Sequence, residues 1–226
     1  MDRGRLRVFL GAAPGVGKTF TMLEEGHRLQ REGRDVVIGF VNTHDRADVS
    51  NLLQGLEMVA PLDFAGSHAM DLEAVRTRQP EAVLVDEMAR ANPPGSVHQT
   101  RWEEVEVLLD AGIDVLTTLN VQNLESMNDV VHAITGVREG ETVADEIVRQ
   151  TAQIEVVDVP QERILERLTA GDIYPAENVD EALANYFRAG NLSALRKLAL
   201  SWTADLVDET LAEYRLVHGI DQPWET

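Results

Sequence analysis

The sequence predicts an α/β fold, a mostly parallel β-sheet flanked by helices, with a small helical extension at the C-terminal end. Three observations carry that expectation. Short apolar, β-branched runs alternate with stretches of helical period, the order that strand–helix–strand units produce. The first run passes directly into a glycine-rich turn and then into a helix. Beyond residue 170 only helical periodicity remains.

The first strand is expected over Arg5-Leu6-Arg7-Val8-Phe9-Leu10, whose Val, Phe and Leu suit a buried parallel strand. Gly11-Ala12-Ala13-Pro14-Gly15-Val16-Gly17-Lys18-Thr19 follows, and then a helix with Phe20, Leu23 and His27, and Met22, Gly26 and Leu29 beside them, at helical spacing up to Gly33. Strand, glycine loop, lysine and hydroxyl in that order make a phosphate-binding loop, so the fold class sharpens to P-loop NTPase-like. Gly15 and Gly17 let the backbone curl with its N–H groups inward, and the helix beginning near Lys18 adds its positive dipole end. The reading assigns Gly11, Ala12, Ala13, Pro14, Gly15, Val16, Gly17, Lys18 and Thr19 to nucleotide binding. Lys18 is expected to reach the β- and γ-phosphates and Thr19 to ligate Mg²⁺. The pattern's first glycine falls on Ala12, with Gly11 one place earlier.

Asp35 to Val41 reads as a second buried strand, ending in the polar loop Asn42-Thr43-His44-Asp45-Arg46. His44 or Arg46 would sense a γ-phosphate, or the loop is simply solvated, with Asp45 capping a helix through Leu53. Leu56 to Gly66 reads as a short strand or loop at the sheet edge, and Asp71 to Arg78 as a short helix closed before Pro80. Glu81-Ala82-Val83-Leu84-Val85-Asp86-Glu87 is the second informative run: a buried strand that delivers two acids to the carboxyl edge of a parallel sheet. Asp86 is expected to hold the metal with Thr19, and Glu87 to act as a general base on water. The turn-rich loop from Ala89 to Gln99 presents Arg90 to phosphate or to solvent.

An amphipathic helix with Trp102, Val105, Leu108 and Leu109 is expected up to Gly112. A strand over Ile113 to Asn120 follows, where Asn120 either senses phosphate or caps a helix running from Leu124 to His132. Thr142 to Gln150 reads as helix, Gln153 to Asp158 as strand, and Pro160 as the start of another helix. Val179 to Arg188 and the stripe Leu192, Leu195, Leu198, Trp202 and Leu206 complete the helical tail, the stripe reading as core packing. The division expected is a nucleotide-binding α/β domain over residues 1–170 and a helical extension or connector over 171–226.

Composition bounds the function. The 226 residues suffice for one α/β domain with a small addition, and a net charge of −19 argues against nucleic acid and anionic lipid as ligands. There are no cysteines, which removes disulfides, thiolate metal sites and cysteine catalysis. No apolar run approaches the roughly twenty residues that span a bilayer, so no membrane contact by this region and a cytoplasmic location are expected.

Several runs together resemble one family. Val8 to Thr19, Asp86-Glu87 through Asn92 with Pro94-Gly95-Ser96, Thr117-Thr118-Leu119-Asn120-Val121-Gln122 with Leu124-Glu125-Ser126, and Phe187-Arg188-Ala189-Gly190-Asn191-Leu192 with Thr203-Ala204-Asp205 are similar to the N-terminal cytoplasmic domain of KdpD sensor histidine kinases. The resemblance covers nearly the whole chain. It implies a regulatory ATP·Mg²⁺-binding module of a two-component sensor for potassium limitation or turgor, with at most slow hydrolysis. Implied partners are the downstream stress-like and kinase domains of the same protein, which is anchored in the bacterial inner membrane, and a response regulator. Arg90 and Asn123 stand where the family pattern has histidines, and Asn42 where it has an acid. The rival readings are a turning-over P-loop ATPase or small-molecule kinase, and a docking scaffold with a vestigial nucleotide site.

Overall fold

The computed structural model describes residues 2–43, 46–64 and 66–219. His44 and Asp45, the suggested phosphate sensor and helix cap, lie outside the described residues. In chain order the elements are β1 (Leu6–Gly11), α1 (Lys18–Arg31), β2 (Val36–Phe40), α2 (Ala47–Leu52), β3 (Glu57–Met58), β4 (Leu62–Phe64), β5 (Ser67–Ala69), α3 (Leu72–Arg78), β6 (Ala82–Val85), α4 (Arg101–Asp110) and β7 (Asp114–Asn120). Two 3₁₀ turns at Val121–Asn123 and Glu125–Met127 lead into α5 (Asn128–Thr135), α6 (Asp145–Arg149), β8 (Gln153–Val157), α7 (Gln161–Thr169), α8 (Ala176–Ala184) and α9 (Ala189–His218).

Six strands form one sheet in the order β3-β2-β6-β7-β1-β8, every neighbouring pair parallel. A parallel sheet needs both faces covered, and the strand residues divide accordingly. Leu6, Val8 and Leu10 of β1 with Val83 and Val85 of β6 face a core built with α3, α4, α5, α6 and α9. Phe9, Ala82 and Leu84 point the other way, onto Met22, Leu23 and Leu29 of α1 and Val49 of α2. The small β4–β5 hairpin pairs antiparallel outside the sheet.

The helical stripe is core packing: Leu195, Ala199 and Trp202 of α9 join the same core as β1, and Leu192 joins a third cluster with Ala13 and Val16 of the glycine-rich segment. Three expected boundaries move. The chain from Leu124 does not become α-helical until Asn128, because Leu124 is extended and forms a parallel bridge to Val143, with only a 3₁₀ turn over Glu125–Met127 between them. The same bridge holds Val143 out of the helix expected over Thr142 to Gln150, so α6 begins at Asp145. The helix expected up to Arg188 stops at Ala184, where Asn185 leaves helical geometry and Phe187 turns inward with 1% exposure.

Candidate functional site

The parallel sheet brings its chemistry to the carboxyl edge. The last residue of β1, Gly11, is paired in register with the last residue of β7, Asn120. The neighbouring strand β6 ends at Val85, opposite Thr117 of β7. Asp86 and Glu87 therefore emerge one strand away from the glycine loop, with the tip of β7 between them. The Gly11–Thr19 loop, Asp86, Glu87 and Asn120, all singled out from sequence, thus meet at one place.

The loop has the conformation its glycines permit. Gly15 and Gly17 lie at φ 85° and 106°, where a side chain is disfavoured. Gly11 is needed for a different reason: a Cβ there would come within 2.5 Å of Val16 and 2.9 Å of the Lys18 stem. α1 starts at Lys18 with no acid in its first turn, leaving the positive end of its dipole uncompensated by side chains. Ala12 packs in the main core, so the missing glycine costs the loop nothing visible.

Lys18 is buried, and its Nζ donates to Asn120 Oδ1 and, at 3.3 Å, to the Ala13 carbonyl. Burial pulls its pKa down to about 8; Asp86 and Glu87 oppose that shift and Arg46 adds to it. Thr19 Oγ1 reaches both oxygens of Asp86, at 3.2 and 3.1 Å. Thr118 Oγ1 donates to Asp86 Oδ1 at 2.6 Å and accepts the Glu87 N–H at 2.9 Å. Burial, joined by Glu87, raises the Asp86 pKa, while the hydrogen bonds from Thr118 and Thr19 and the charge of Lys18 pull against it.

Glu87 takes a left-handed backbone, φ 58°, just past the strand. Arg90, which the sequence left between phosphate and solvent, donates to Glu87 Oε2 at 2.9 Å. Arg101 passes beneath with 1% exposure: Nη1 donates to the Asp86 carbonyl at 2.8 Å, stands 3.9 Å from Glu87 Oε2, and the guanidinium covers the Phe40 ring at 3.9 Å.

Lys18, Thr19, Asp86, Glu87, Arg90, Thr118 and Asn120 line a cavity of about 230 Å³ that also takes in Arg46, Gln122, Asn123, Glu139, Glu141 and the segment Asp172–Tyr174. The helical arm closes its far side. Arg167 of α7 donates to the Gly15 carbonyl at 2.6 Å, and a Cβ on Gly15 would strike Ile173 at 2.1 Å. Tyr186 donates to Gln122 Oε1, and Tyr174 meets Phe187 edge-on at 5.7 Å. Arg101, Arg167 and Ile173 were not singled out from sequence, and Thr118 was named only within the run Thr117 to Gln122 with no role given to it. Only Thr118 left a signal there, standing two residues before Asn120 on the same strand and so on the same side of the sheet.

Chemically, a buried ammonium beside a helix N-terminus suits a phosphate. Thr19 and Asp86 offer the hard oxygens that Mg²⁺ takes. Among the described residues no group of three or more His, Cys, Asp or Glu could hold a metal alone, so a cation here would draw its remaining oxygens from phosphate and water, the mode Mg²⁺ favours. Among the described residues no helix is long and apolar enough to cross a membrane.

Residues 2–207 match the family model of the KdpD osmosensitive K⁺ channel His kinase sensor domain. The chain is 51% identical over 227 residues to the sensor protein KdpD of Mycobacterium tuberculosis, an alignment covering 99% of this chain and 26% of that protein. It is 46% identical over 229 residues to the sensor protein KdpD of Escherichia coli K12, covering 99% of this chain and 26% of the relative. A putative sensor protein KdpD of Synechocystis is 44% identical over 211 residues, covering 92% of this chain and 57% of its own length. The chain thus spans about a quarter of the mycobacterial and E. coli relatives.

Proposed function

The chain belongs to the KdpD sensor-domain family of sensor kinases, and from that premise we propose that it is a regulatory ATP·Mg²⁺-binding domain of a two-component sensor responding to potassium limitation or turgor. One observation carries the reading: Lys18, Thr19 and Asp86 converge on a single cavity at the end of a glycine loop, with Thr19 Oγ1 at 3.1 and 3.2 Å from the Asp86 carboxylate oxygens. Lys18 and the loop amides would hold the β- and γ-phosphates, Thr19 and Asp86 the Mg²⁺, and Asn120 would direct Lys18 or meet the terminal phosphate. A bound Mg²⁺ would supply charge neutralisation there. The chain's output would pass to further domains of the same protein and through them to a response regulator.

Calorimetry with ATP and MgCl₂ tests the reading. The intact chain should bind, and Lys18→Ala should lose about 2–5 kcal/mol, the usual consequence of deleting a desolvated charge partner. Equal binding by Lys18→Ala, or none by the intact chain, would remove the proposal.

A further inference from the structure

The glycine loop leans on more than the strand and helix it joins. Its two buried apolar side chains, Ala13 and Val16, share a cluster with Ile164, Leu168, Phe187 and Leu192, all from the chain that runs through α7, α8 and the start of α9. That arm also covers the loop's left-handed backbone. Gly15 and Gly17 hold φ 85° and 106°; a Cβ on the first would strike Ile173 at 2.1 Å, and one on the second would stand 3.4 Å from Arg167 Nη1. A polar contact joins the two surfaces: Arg167, half-buried on α7, donates from Nη1 to the Gly15 carbonyl at 2.6 Å.

That contact fixes a peptide rather than a side chain. The Gly15–Val16 peptide is planar and trans, so a carbonyl turned out towards α7 turns the Val16 N–H the opposite way, into the loop. The same interior holds Lys18 Nζ, which meets the Ala13 carbonyl at 3.3 Å. Arg167 itself stands outside the cavity that Lys18, Thr19, Asp86 and Asn120 line. An anion on the Val16 N–H and a guanidinium on the Gly15 carbonyl would polarise one peptide from its two ends, each strengthening the other's hydrogen bond.

We propose that Arg167 is a positioning residue for nucleotide binding: its bond to the Gly15 carbonyl presets the loop amides for phosphate, and through the same bond nucleotide occupancy tightens the arm of α7 and α8. The inference rests on the nucleotide reading above and names what that site controls. Arg167 touches no phosphate in this scheme; it acts through the Gly15–Val16 peptide. The effect runs both ways, because whatever the docked arm adds to nucleotide affinity, bound nucleotide adds to the docking of the arm. Loop and arm already share one apolar cluster, so a change in the loop's backbone is felt directly by Ile164, Leu168 and Phe187.

The experiment pairs calorimetry with ATP and MgCl₂ with amide hydrogen exchange over residues 161–184, which hold α7 and α8, read with and without saturating ATP·Mg²⁺. The proteins are the intact chain, Arg167→Ala, Arg167→Lys and Arg163→Ala, the last removing an exposed α7 arginine paired with Glu166. In the intact chain and in Arg163→Ala, nucleotide should slow exchange in the glycine loop, in α1 and in the arm. Arg167→Ala should bind about tenfold more weakly, within the roughly 5- to 150-fold that coupled sites show, and at saturation should gain protection in the loop and α1 alone. Arg167→Lys keeps a charged donor for the carbonyl and should recover most of the affinity and of the arm's response. The inference fails, and the nucleotide reading stands, if Arg167→Ala binds as tightly as the intact chain, or if nucleotide slows exchange in its arm by the same factor. An intact chain that binds ATP·Mg²⁺ with no change in the arm has the same meaning. No ATP·Mg²⁺ binding by the intact chain overturns both.

Discussion

Lys18 shows how one residue ties folding to binding. Its ammonium is buried with its two hydrogen bonds on neutral oxygens, and desolvation, opposed by Asp86 and Glu87, brings its pKa to about 8 from 10.5. A lysine lowered in this way opposes folding while it is charged. The cost is full below about pH 8, on the order of 3 kcal/mol at roughly 1.4 kcal/mol per unit, and it fades as pH climbs towards 10.5. Phosphate has the reverse preference, since only the charged amine is worth a charge-assisted hydrogen bond. Affinity for ATP·Mg²⁺ should then hold steady up to about pH 8 and fall beyond it, approaching tenfold per unit as the free chain loses the proton that binding needs. Titrations from pH 7 to 9.5 check this, and a flat profile would mean that Lys18 keeps its proton without phosphate.

At the scale of elements, α9 and α6 are joined by a buried polar contact that spans 57 residues of chain. Trp202 Nε1 donates to Asp145 Oδ2 at 2.8 Å, and Ser126 donates its N–H and hydroxyl to the same carboxylate at 3.0 and 2.7 Å. Burial works against the charge, but the bonds from Ser126 and Trp202, with Arg149 nearby, outweigh it and lower the Asp145 pKa. A lowered carboxylate adds stability above its ordinary range and loses it as pH falls through the lowered value. Trp202→Phe keeps most of the ring and removes one hydrogen bond to a charged group, so unfolding in urea at pH 7 should be easier by about 1.5–3 kcal/mol with an unchanged m-value. The deficit should shrink in acid as Asp145 takes up its proton. This contact also marks where sequence reading gives out. The strands were legible because Val83 to Val85 or Val115 to Leu119 announce themselves within a few residues, and the glycine-rich turn between β1 and α1 because its glycines, lysine and hydroxyl are contiguous. The start of α5 was not legible: Leu124 to Met127 has an acceptable helical pattern, but Ser126 is tied to Asp145 and Leu124 to Val143. The same holds for the site. Lys18, Asp86 and Glu87 could be placed by local motif, whereas Arg167, which reaches Gly15 across 152 residues, follows from the fold alone.

The whole molecule carries a net charge of −19, and its candidate ligand is itself an anion. Most phosphate-binding proteins draw their ligand in through a positive field, which added salt weakens. Here the long-range field repels, and the contacts proposed for the ligand are short-range: the buried Lys18, the amides at the head of α1, and a cation if Asp86 and Thr19 hold one. Screening should therefore act in opposite senses on the two stages of binding. At about 0.01 M salt the Debye length of roughly 30 Å lets the charge of the whole chain reach an approaching nucleotide, and at about 0.15 M it shrinks to roughly 8 Å. Association of a fluorescent ATP analogue with Mg²⁺, followed by stopped flow, should quicken several-fold over that range. Dissociation should change far less, because a buried ammonium is poorly screened. An association rate that slows with salt would mean that Lys18, Arg46 and the helix terminus focus a positive field beyond the mouth of the cavity, strong enough to override the acids around it.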